Sequence, residues 1–132
     1  MTEPVLYDVK DGVATVTLNR PDNRNALTAE MSNAIIDAVD RAEADDEVRC
    51  LVITGREGTF CAGGDVNSMM EMMSGAAELH EAVERIQHNT PRAGMRGAQV
   101  HLPTVAKVDG VAYGAGANLA IAADAPVAST CA

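Results

Sequence analysis

Two short glycine-bearing loops hold the residues of this sequence best suited to chemistry. The first is Phe60-Cys61-Ala62-Gly63-Gly64-Asp65. The second is Gly110-Val111-Ala112-Tyr113-Gly114-Ala115-Gly116-Ala117-Asn118-Leu119-Ala120. Each places backbone N–H groups beside the start of a helix, where partial positive charge attracts an anion. Small side chains let a ligand touch the main chain. Two such N–H groups converging on one carbonyl oxygen would make an oxyanion hole. Taken singly, each loop also reads as a tight turn into a packed helix.

Other residues offer weaker chemistry. Cys61 has no histidine placed near it by local sequence, so it reads as a small buried thiol rather than a nucleophile. His80 and His88 fall on a polar helix, and His101 lies in a loop before Pro103. Asp65 reads as a cap on the helix that follows it. Gly114-Ala115-Gly116 follows a strand and opens a helix, as a dinucleotide fingerprint does. Leu119 is bulky where the third glycine belongs, and no acidic residue follows at the spacing required. The three cysteines, Cys50, Cys61 and Cys131, have no metal-ligand spacing, and no metal site is expected.

Both loops need a scaffold. Val5 to Val9 and Val13 to Leu18 read as strands joined by an Asp11-Gly12 hairpin turn. The polar loop from Asn19 to Asn25 follows. Thr28 is placed to cap a helix with Glu30 in its first turn. Met31, Ala34, Ile35, Ala38, Val39 and Ala42 form its apolar stripe, and Asp45-Asp46 ends it. Cys50 to Thr54 reads as a strand buried on both faces, and the strand–helix–strand order predicts a parallel pair. Helical segments are expected from Val66 to Met73 and through Leu79, Val83 and Ile86, with Thr90 to Gln99 irregular or a broken helix. Then come a strand from Thr104 to Val108, the second loop, and a helix from Ala115 to Ala123. Strand, glycine loop and helix thus occur twice. Asp124 to Ser129 should be a buried strand, yet Pro126 cannot donate to a ladder.

Composition narrows the function classes. The chain has 132 residues, enough for one domain. With 47% apolar residues but only Tyr7, Phe60 and Tyr113 as aromatics, the core must be aliphatic. A formal net charge of −9 argues against nucleic acid or an anionic membrane as partner. Lys10 and Lys107 are the only lysines against nineteen acids, a balance that suits a saline cytosol or an ordinary acidic enzyme surface. The start, Met1-Thr2-Glu3-Pro4, does not look like a signal peptide, and no run approaches a membrane span. The expected location is the cytoplasm, with reduced thiols.

The two loops in this order, with Asn19-Arg20-Pro21 and Asn25-Ala26-Leu27 upstream, resemble the enoyl-CoA hydratase/isomerase (crotonase) superfamily. The resemblance runs from Val5 to Ser129 and implies an α/β fold, a spiral of β-β-α turns, with residues 1–132 as the N-terminal part of the domain. It implies that the backbone N–H groups of Ala62 and Ala115 grip the thioester oxygen of an acyl-CoA as it becomes an enolate. Ala62, Gly63, Gly64 and Asp65 would line the substrate groove. Arg24 would border the nucleotide end of coenzyme A, where its guanidinium could meet a phosphate, unless it is simply solvated. Met69, Met70, Met72 and Met73 would form a flexible wall of the acyl pocket or pack the core. Coenzyme A belongs to the substrate, so no separate cofactor is implied. The family forms trimers and pairs of trimers.

Two departures shape the functional expectation. Asn118 stands where hydratases of the family have a glutamate, and an amide is no general base. The string Gly114 to Ala120 is similar instead to the isomerase branch, whose working carboxylate comes from a later Pro-Asp-x-Gly-Gly-like loop. Isomerase-type proton transfer is therefore expected over hydration. Family members are about twice as long, and Pro126 suggests that the pattern decays near the C-terminus, as truncation or a frameshift would cause. The alternatives are an inactive fragment or pseudoenzyme and, further off, a dinucleotide-binding module.

Overall fold

A computed structural model describes residues 3–64 and 92–132. Strands β1 (Val5–Lys10) and β2 (Val13–Leu18) form an antiparallel hairpin. Its two turn residues, Asp11 (φ 53°) and Gly12 (φ 80°), both take the left-handed conformation that a tight hairpin requires. Helix α1 (Ala29–Ala44) begins where expected, with the Thr28 hydroxyl accepting from the Met31 N–H at 3.0 Å. Met31, Ile35, Ala38, Val39 and Ala42 are buried as one stripe, joined by Ser32.

Strand β3 (Cys50–Gly55) pairs parallel with β2, as the strand–helix–strand order predicted. Only one face of it is fully covered by the described residues. Leu51 and Ile53 are buried, whereas Cys50, Val52 and Thr54 are half-buried. The expectation of burial on both faces is corrected to that extent. Strand β5 (Thr104–Val108) pairs parallel with β3, and β7 (Ala125–Ala128) with β5, so the large sheet runs β1-β2-β3-β5-β7.

The first glycine loop leaves β3 through a short strand, β4 (Thr59–Cys61). The second leaves β5 through β6 (Val111–Ala112) and enters α3 (Ala115–Ile121). Strands β4 and β6 pair with each other in a second, parallel sheet. Successive turns therefore stack: β5 lies on β3 in one sheet while β6 lies on β4 in the other. This is the expected spiral. Its core is aliphatic, as the composition demanded, with Phe60 as its largest fully buried side chain.

Two expectations are overturned. Arg92–Gln99 is a continuous helix, α2, not an irregular segment. Gly94 and Gly97 lower its intrinsic helicity by up to ~1 kcal/mol each, but packing outweighs that. Arg96 bridges Asp40 (2.8 Å) and Glu43 (3.2 Å) on α1, and Arg92 donates to Asn33 at 3.0 Å. Helix α2 also packs against α3, where a Cβ on Gly94 would meet the Leu119 backbone at an ordinary contact distance of 3.9 Å. Second, the strand expected to be buried from Asp124 to Ser129 forms as β7 but is exposed among the described residues, with Pro126 inside it. Strand β7 is at an edge of the described sheet with every residue exposed, and an edge is where a proline without an N–H is tolerated. Helix α3 ends two residues earlier than expected. The expected segments Val66 to Met73 and Leu79 to Ile86, the methionine cluster, His80 and His88 lie outside the described residues.

Candidate active site

The site is built from the polar loop that follows β2. Arg24 (φ 58°) and Asn25 (φ 55°) are consecutive left-handed residues, and they turn the Asn25 side chain inward. Asn25 is fully buried, and its amide is fully used. The Oδ1 accepts from the Arg20 N–H at 2.7 Å. The Nδ2 donates to the carbonyls of Thr59 (3.0 Å) and Phe60 (3.1 Å) on β4. Three further bonds bind the same loop to the first glycine loop: Cys61 Sγ to the Asn25 carbonyl at 3.0 Å, the Ala62 N–H to the Arg24 carbonyl at 2.9 Å, and the Leu27 N–H to the Gly63 carbonyl at 2.6 Å.

The second glycine loop lies directly against the first. The Tyr113 N–H donates to the Cys61 carbonyl at 3.0 Å. Gly63 (φ +89°) faces the junction: a Cβ there would stand 2.8 Å from the Tyr113 carbonyl oxygen and 3.3 Å from the Ala115 nitrogen. A Cβ on Gly116 would overlap the Cys61 carbonyl oxygen. Both positions need glycine because backbone meets backbone there.

The expected donors can now be placed. The Ala115 N–H, at the first residue of α3, meets no acceptor among the described residues. The Ala62 N–H is engaged, because the Arg24 carbonyl takes it. The Gly63 N–H points back to the Cys61 sulfur. The Gly64 N–H, the next along the chain, has no acceptor among the described residues. Sequence reasoning grouped Gly64 with the groove and missed its N–H, because nothing in local spacing shows which amides the neighbouring loop consumes. It likewise picked out Asn25 within a motif without assigning it a task.

The remaining candidates separate clearly. Asn118 is exposed one turn into α3, with its own N–H donating to the Gly114 carbonyl at 3.0 Å. The Arg24 side chain is exposed. Asp65 lies outside the described residues. Cys61 is buried, and burial pushes its thiol up to about 11, so it is neutral near pH 7 and unsuited to nucleophilic attack. In the dinucleotide reading Gly116 would make room for a phosphate, but here it makes room for the Cys61 carbonyl, and Leu119 is buried in the core.

Comparison with known proteins gives the family. Residues 8–132 match the enoyl-CoA hydratase/isomerase family. The chain belongs to that family. The match extends through Pro126 to the last residue, so the expected decay of the pattern near the C-terminus is not observed. The chain is 41% identical over 126 residues to a probable enoyl-CoA hydratase of Mycobacterium tuberculosis, covering 96% of this chain and 47% of that protein. It is 39% identical over 130 residues to the 1,2-epoxyphenylacetyl-CoA isomerase of Escherichia coli, covering 98% and 48%. An enoyl-CoA hydratase/isomerase from Xanthobacter autotrophicus superposes with a TM-score of 0.88 at 32% identity, over all of this chain and 48% of that one. The crotonase fold is thereby established, and the chain spans about half the length of the relatives it matches. Among the described residues no helix is long and apolar enough to cross a membrane.

Proposed function

We propose that this chain supplies the oxyanion-binding part of an acyl-CoA thioester enzyme, with the Gly64 and Ala115 N–H groups as the two donors. The observation that carries this reading is the β4–β6 pairing, which sets the two glycine loops side by side and leaves these two amides without acceptors among the described residues. A thioester oxygen resting on them is polarised. When a proton leaves the α-carbon, negative charge collects on that oxygen, and the donors stabilise it as it develops. Arg24, exposed beside the first loop, is suited to a phosphate of the coenzyme A portion.

The proton must be moved by a carboxylate. Asn118 occupies the first turn after Ala115 and cannot serve as one. It is placed to hydrogen-bond the acyl portion, and we assign the proton transfer to a carboxylate from beyond the described residues. This favours double-bond isomerisation over hydration. Relatives with isomerase names include that of E. coli and a trans-2-decenoyl-[acyl-carrier-protein] isomerase of Streptococcus mutans, beside others, such as that of M. tuberculosis, with hydratase names. The family resemblance extends the proposal to a cytoplasmic trimer or pair of trimers that needs no cofactor besides its coenzyme A-linked substrate.

Ala115→Pro tests the hole directly. Proline is tolerated at the first helical position and has no N–H to donate. We expect kcat/KM for enoyl-CoA isomerisation by the native protein to fall about 100- to 1000-fold, with the melting temperature nearly unchanged. Full activity in this variant would remove Ala115 from the hole. Crotonyl-CoA hydration faster than isomerisation in the unaltered protein would overturn the isomerase assignment. Asn118 also favours a second reading, a binding protein without turnover. Acyl-CoA binding lost in Ala115→Pro, with no turnover by the unaltered protein, would establish it.

A further inference from the structure

Asn25 touches no part of the proposed oxyanion site, yet every polar atom of its side chain is spent on holding that site's frame. We infer that Asn25 is the positioning residue for the Gly64 donor, and that residues Arg20 to Leu27 act as a clamp on the first glycine loop. The inference rests on the reading of that loop as the oxyanion loop.

Strand β4 has little support from its own sheet. It is three residues long and, among the described residues, pairs only with β6, through a ladder whose register shifts between Thr59 and Cys61. A ladder so short and irregular fixes a backbone poorly. The carbonyls of Thr59 and Phe60 instead accept from the Asn25 amide. Both bonds span more than thirty residues of sequence. The Asn25 carbonyl then accepts from Cys61, the Arg24 carbonyl from Ala62, and Leu27 donates to Gly63. Every residue from Thr59 to Gly63 is thus tied to one segment, and Gly64 is the first residue released from it. The clamp also selects the donor, because it consumes the Ala62 N–H and leaves the Gly64 N–H.

Asparagine suits the task for two reasons. It tolerates the left-handed conformation at φ 55°. Its amide also offers an acceptor to Arg20 and two donors to β4 on one short stem. Aspartate has the same shape and keeps the acceptor, but when ionised it would present negative charge to two carbonyl oxygens. Alanine keeps neither function.

The experiment compares Asn25→Asp and Asn25→Ala with Ile35→Val, a core change in α1 that removes no hydrogen bond. Ile35 is fully buried in the apolar stripe of α1, and its side chain has no polar atom to take part in the clamp. Two readouts are needed. One is the rate at which a thiol reagent labels Cys61, followed by peptide mass so that half-buried Cys50 and exposed Cys131 are counted separately. The other is kcat and KM for acyl-CoA isomerisation. We expect both Asn25 variants to label Cys61 at least tenfold faster. We expect kcat to fall about 100-fold, the scale of an ångström-sized misplacement, while KM changes little. Ile35→Val should lower the melting temperature without either effect. Cys61 protection that survives in a folded Asn25→Asp protein would overturn the inference, as would Ile35→Val reproducing the whole pattern. If the unaltered protein turns over no acyl-CoA, the functional reading fails by itself, and Cys61 labelling still decides whether the clamp exists.

Discussion

In the proposed oxyanion site the two glycine loops would do the same job by different means. The second, from Gly110 to Gly116, passes directly into α3, and its Ala115 N–H meets no acceptor among the described residues because the first residue of any helix has no partner in the turn before it. Its donor follows from local geometry. The first loop, from Phe60 to Gly64, owes its shape to a segment more than thirty residues earlier in the chain. Its available donor is the one that the Arg20–Leu27 segment does not consume. One donor is thus set by secondary structure and the other by tertiary contact, and the two should fail differently.

The sharpest way to break this contrast is Gly116→Ala. Alanine is the better helix former by ~1 kcal/mol, so an isolated second loop would gain stability. The Cβ would overlap the Cys61 carbonyl oxygen, and the loops would have to part. We expect a net loss of about 1–3 kcal/mol, read as a lower denaturation midpoint. A rise in the midpoint would mean that the two loops are not in contact.

A smaller effect should come from Thr28→Ala. The Thr28 hydroxyl caps α1 one residue after Leu27, whose N–H holds the Gly63 carbonyl. Loss of the cap should cost about 1 kcal/mol. Amide exchange should rise at the start of α1 and across the first glycine loop but not in α3. Equal loosening of both loops would erase the distinction.

The smallest effect should appear on the other side, in acid. Glu43 accepts from the His101 N–H at 3.2 Å and pairs with Arg96, and these contacts hold its carboxyl below the usual glutamate value. The folded state therefore favours the ionised form. Its contribution is present at pH values above the ordinary glutamate pKa and is lost as pH falls through the lowered one. Because α2 also packs against α3, acidification below the ordinary glutamate range should first loosen α2 and the second loop. A Glu43→Gln variant should flatten that part of the stability profile, measured by denaturant midpoints across acidic pH.

Much of the frame was legible because its causes are local. Asp11-Gly12 gives a hairpin, Thr28 caps a helix, and the stripe from Met31 to Ala42 can face only one way. The parallel pairing of β2 and β3 follows from βαβ order. Other features escaped local reasoning. Residues 92–99 are helical because Arg92 and Arg96 reach partners on α1 and the helix packs against α3, which no propensity could show. Pro126 is accommodated because its strand lies at an edge of the described sheet, and edges are set by which strands pair rather than by local sequence.

The sequence by itself determined that two glycine loops would each leave a strand carrying main-chain N–H groups, since small residues and turn chemistry act over a few positions. Only the tertiary structure decided that those loops touch, that Arg24 occupies the Ala62 N–H, and that the Gly64 N–H meets no acceptor among the described residues. Backbone amides look alike in any sequence. Which of them remains unpaired depends on which carbonyls the fold brings within hydrogen-bond reach.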